Sequence, residues 1–85
     1  MHETIFLDKA KELVKDYANK INKDCNISTS DVYMVWCCKT LQNNKALLST
    51  PISDGMYYEV TYNGDKNEIY FDAYKKVENI KIDFR

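Results

Sequence analysis

The hydrophobic period of this chain changes once, at Ser28–Asp31, and that change limits its architecture more than any motif does. Before it, Phe6, Ala10, Leu13, Val14, Tyr17 and Ile21 recur at steps of three and four. That spacing gives one apolar stripe on a helix. After it, residues alternate with a period of two, and β-branched and aromatic types dominate, as strands favour. The spacing predicts a helix over 4–22, with Thr4 as N-cap and an end near Lys23. It predicts strands over 31–42, 45–50, 56–63 and 67–76. Asn43-Asn44 is the expected first hairpin turn, since Asn tolerates left-handed backbone. Pro51, Asp54 and Gly55 mark a loop, and Asn63-Gly64-Asp65 marks a second hairpin. Ile80, Ile82 and Phe84 alternate again in the tail, as a short fifth strand would.

Helix followed by antiparallel meander is an α+β fold. One sheet face must be covered, and the helical stripe is the only cover available. Ile69, Phe71 and Ala73 are expected on the covered face, paired with Tyr58, Val60 and Tyr62. Trp36 is expected in the core as well, because it alternates with Met34 and Cys38. The opposite face then carries Tyr57, Glu59, Thr61, Tyr70, Asp72 and Tyr74.

Eighty-five residues form one domain over 1–85, with room for a single helix-on-sheet core and no deep cleft. The chain is 45% apolar and 29% charged, as soluble globular proteins are. No run approaches a membrane span, and the N-terminal stretch lacks the apolar core of a secretory signal. A cytoplasmic location is expected. The formal net charge is −1, which argues against nucleic-acid binding through bulk charge.

Little here reads as catalytic. His2, the sole histidine, sits at a terminus, where a base is hard to hold in reach of a substrate. Cys25, Cys37 and Cys38 have no CxxC spacing for zinc and no nearby histidine to activate a thiolate. They are expected as reduced thiols, with one of Cys37 and Cys38 in the core and the other on the opposite face. Glu59 and Asp72 share a face, but nothing around them reads as an apolar pocket that would raise a carboxyl pKa. Gly64 lacks the further glycines and the lysine of a phosphate-binding loop. No cofactor or metal is expected. Seven tyrosines are the unusual feature, because Tyr buries area at low entropic cost and keeps a hydroxyl handle.

The middle of the chain also resembles a known family. The matching residues are Val35-Trp36, the run Lys39–Leu47, Ser49-Thr50, the run Asp54–Lys66, Tyr70 and Asp72–Lys76. They resemble a family of small uncharacterised proteins encoded by phages and prophages of low-GC Gram-positive bacteria. The helix is similar in pattern only. The resemblance implies a phage or prophage origin and carries over no catalytic residue. The expected function is therefore a non-enzymatic accessory protein that binds and inhibits a host protein, such as a defence or replication factor. Tyr57, Tyr70 and Tyr74 would anchor it, with Glu59 and Asp72 at their edge. The alternative is a module that stacks single-stranded nucleic acid on the same tyrosines.

Overall fold

The structure, a computed structural model, describes residues 2–84. Helix α1 spans Glu3–Ile21. Its N-cap is His2, whose Nδ1 accepts from Thr4 N at 3.2 Å. Thr4, the expected cap, instead lies in the first turn. The helix ends where Asn22 stops propagation. Asn22 N and Nδ2 both donate to Ala18 O, and Nδ2 also donates to Asp54 Oδ2 at 3.0 Å. Asn19 then pins the following loop to the helix, its amide accepting from Ile27 N and donating to Ile27 O. A single 3-10 turn, Thr29–Asp31, leads into the sheet.

Four strands follow: β1 Tyr33–Thr40, β2 Asn43–Ser49, β3 Met56–Asn63 and β4 Glu68–Lys75. All pair antiparallel in the order β1-β2-β3-β4. The α+β meander under one helix is as the periods predict. Phe6, Ala10, Val14 and Ala18 are the buried stripe of α1. The two alanines in it carry no bulk that would hold the helix off the sheet. The stripe packs on Ala46, Leu48, Tyr58 and Val60, all without solvent exposure. Tyr17, Tyr58 and Phe71 add an aromatic cluster with centroids 5.3–5.6 Å apart. Such contacts stabilise beyond area burial alone. Ile21 lies beyond this stripe and is exposed.

The register brings the expected inner-face residues of β3 and β4 together, as Tyr58–Ala73, Val60–Phe71 and Tyr62–Ile69. Cover thins toward β4, however, where Ile69 and Phe71 are half-buried and Ala73 is exposed. Three sequence expectations fail here. The first hairpin turns at Leu41-Gln42, since Thr40 pairs with Asn43. Asn44 is needed on the inner face beside Tyr62 and is buried. Leu41 accordingly takes a positive φ of 56°. The second failure is in β1, where the register shifts between Met34 and Trp36. This bulge around Val35 puts Trp36 opposite Leu47 on the outer face, not in the core. The third is the tail: residues 76–84 form no fifth strand, and Ile80, Ile82 and Phe84 stay exposed.

Candidate functional site

The outer face is built by alternation. In an antiparallel pair, residues directly opposite share a face. Leu47, Glu59 and Asp72 are opposite one another in turn, and the bulge adds Trp36 to that row. The next row toward the hairpin ends is Cys38, Lys45, Thr61 and Tyr70. On the other side Tyr57 faces Tyr74. The five residues singled out from sequence, Tyr57, Glu59, Tyr70, Asp72 and Tyr74, thus form one contiguous patch on β3 and β4. Tyr70 and Tyr74 are about half exposed, and Tyr57 is half-buried.

Sequence reasoning missed Trp36, which is 41% exposed and widens this patch across the sheet. A single inserted residue hid it, because a period-two count carries no mark of a bulge. Lys45 and Leu47 also join this face, where the sequence pattern marks them only as part of a returning strand.

Charge on the face is uneven. Glu59 and Asp72 lie directly opposite each other, an arrangement that opposes folding. Lys45 Nζ lies 3.6 Å from Glu59 Oε2. Tyr70 donates its hydroxyl to Glu68 Oε1 at 2.5 Å, which raises the phenol pKa. A shallow depression of about 300 Å³ lies between Tyr70, Lys45, Thr61, Cys38 and Thr40. It is open, and no carboxylate or histidine lines it.

The cysteines take opposite sides. Cys37 points inward against the core, where its Sγ donates to Glu3 Oε2 at 3.4 Å. That hydrogen bond, then burial, pushes the thiol pKa up, the wrong direction for a nucleophile. Cys38 is exposed on the outer face. His2 is occupied as a helix cap. Among the described residues no three His, Cys, Asp or Glu side chains cluster as metal ligands. Nor is any described helix long and apolar enough to cross a membrane.

Fold and face together define an open-faced two-layer α+β domain, with a helix on one side and a patch of tyrosine, tryptophan and carboxylate on the other. The chain belongs to DUF6275, a family of unknown function, whose model matches residues 7–84. No curated protein and no solved structure matches it significantly.

Proposed function

We propose that this is a non-enzymatic protein-binding module whose outer sheet face docks on another protein. The observation that carries the reading is the shared exposure of Trp36, Tyr70 and Tyr74 on one face, with Tyr57 beside them. Aromatic anchors of this kind dominate binding energy at interfaces. The facing carboxylates Glu59 and Asp72 repel phosphate, so they favour a protein partner over nucleic acid. The resemblance to phage and prophage proteins extends the proposal. The partner is then a bacterial host protein, met in the cytoplasm and inhibited when bound.

The test starts with capture of host proteins on the immobilised chain and identification by mass spectrometry. Tyr57→Ala, Tyr70→Ala and Tyr74→Ala are then measured against the captured protein, with folding checked by circular dichroism. Truncating a buried anchor costs about 2 kcal/mol, roughly thirtyfold in affinity. Folded variants that all bind like the wild type overturn the reading. Loss of binding to single-stranded DNA or RNA, steeply dependent on salt, would replace it with the nucleic-acid alternative.

A further inference from the structure

The outer face is acidic as well as aromatic, and the acidity is concentrated there. Alternation along the paired strands puts Lys45 of β2, Glu59 of β3, and Glu68 and Asp72 of β4 on it. Three carboxylates against one lysine leave the face with two net negative charges, where the whole chain has a formal charge of −1. The rest of the molecule is therefore net positive.

The three carboxylates are not equally satisfied. Glu68 accepts the Tyr70 hydroxyl. Glu59 has Lys45 Nζ at 3.6 Å. Asp72 is exposed and directly opposite Glu59, and it forms no ion pair with the described residues. Like charges directly opposite destabilise a sheet, so the row is one cation short. The Glu59 side chain is only 21% exposed, and salt screens a partly buried charge less than an open one. Tyrosines surround the pair. Tyr70 and Tyr74 lie two residues before and after Asp72 on the same face, and Tyr57 sits opposite Tyr74, two residues before Glu59.

We propose that this face docks a basic surface of a partner protein, and that an arginine of the partner bridges Glu59 and Asp72. This rests on the docking role proposed above for the face. Charge complementarity selects a cation, and the geometry of the row selects arginine. Side chains directly opposite across two strands start about 5 Å apart at Cβ. A guanidinium is planar and holds five N–H donors in a fixed fork, so it can bond two carboxylates at once. Its face also stacks on an aromatic ring, which Tyr70 and Tyr74 offer on either side. A lysine ammonium is a compact, strongly hydrated point charge without the fork.

The probe is acetyl-arginine methylamide, titrated into the isotope-labelled full chain while amide shifts are followed by NMR. Acetyl-lysine methylamide and acetyl-citrulline methylamide are the comparisons, since citrulline keeps the shape of arginine without its charge. Saturable shifts centred on Glu59, Tyr70, Asp72 and Tyr74 are expected with arginine, weaker binding with lysine and none with citrulline. Asp72→Asn or Glu59→Gln should lower the arginine affinity about fivefold with the fold retained. No shifts, shifts elsewhere, or equal binding of citrulline overturn the proposal. So do shifts on this face produced by raising the chain concentration alone, which would seat a second copy there, or by oligothymidylate. The citrulline comparison needs no variant, so it decides even where a substitution unfolds the chain. Against a captured host protein, Asp72→Asn should again weaken binding about fivefold. If Tyr70→Ala loses that binding while Asp72→Asn and Glu59→Gln keep it, the arginine bridge is overturned and the docking face stands. If the tyrosine variants keep it while arginine shifts the face, the docking role fails and the cation site stands.

Discussion

Tyr58 is the largest fully buried side chain among the described residues. It is fully buried beneath α1, and its hydroxyl finds no hydrogen-bond partner among the described residues. Burial, with the nearby Asp54 carboxylate, pushes its phenol up to about 12 from 10.0. A folded-state pKa above the unfolded one means the neutral form is favoured by folding. The stability that depends on it is complete below pH 10 and lost as pH rises toward 12. Tyr58→Phe removes both the titration and an unpaired buried hydroxyl. It should match or exceed wild-type stability at neutral pH, by up to about 1 kcal/mol. It should also unfold less steeply above pH 10. Urea titrations at pH 7 and pH 11 check both points, and a variant with the wild-type alkaline limb would refute the assignment.

At the level of elements, the ends of two hairpins lock together. The loop after β3, Gly64–Asn67, is held by Asn63 Oδ1, which accepts from Asp65 N and Lys66 N. Gly64 N in turn donates to Asn43 Oδ1 on the neighbouring strand. A Cβ on Gly64 would stand only 2.1 Å from Gln42 O, so glycine is required by contact with backbone and not by its φ. The positive φ of this loop falls on Asn67 instead. Gly64→Ala should cost about 2 kcal/mol or more in urea unfolding, and a loss under 0.5 kcal/mol would show that the two turns do not lock. The period change, the helix and the strand pairs of β3 and β4 were all legible in the sequence, because each depends on local spacing. The Leu41-Gln42 turn was not. It is set by which residues of β2 must be buried, and Asn44 offered a better turn signal than core signal. Trp36 was misplaced for a similar reason, since the register shift at Val35 is a property of the pair β1–β2.

Over the whole molecule, stability is concentrated in the middle of the sheet. β2 and β3 are the central strands and hold Ala46, Leu48, Tyr58 and Val60 under the helix. β1 is an edge strand with Tyr33, Met34, Val35 and Trp36 all exposed. Hydrogen exchange should therefore find the slowest amides in β2 and β3, opening only with global unfolding, and faster ones in β1. Uniform protection across β1 and β2 would contradict this. The site follows the same division. Tyr57, Glu59, Tyr70, Asp72 and Tyr74 were placed correctly on one face because β3 and β4 pair without irregularity. What the face does was not legible: under the role proposed for it the chemistry is that of recognition, and the partner's half of such a surface would be written in another chain.

The bulge at Val35 has a consequence for how such chains diverge. Along a regular strand, a point substitution changes one side chain and leaves its direction alone. In β1 the direction itself hangs on the residue count between Met34 and Trp36. Losing one codon there would exchange the inner-face and outer-face residues on one side of the bulge, turning Trp36 to the helix side or Met34 to the outer face. Length variation at this spot is thus a route to a new surface that no series of single replacements reaches as directly.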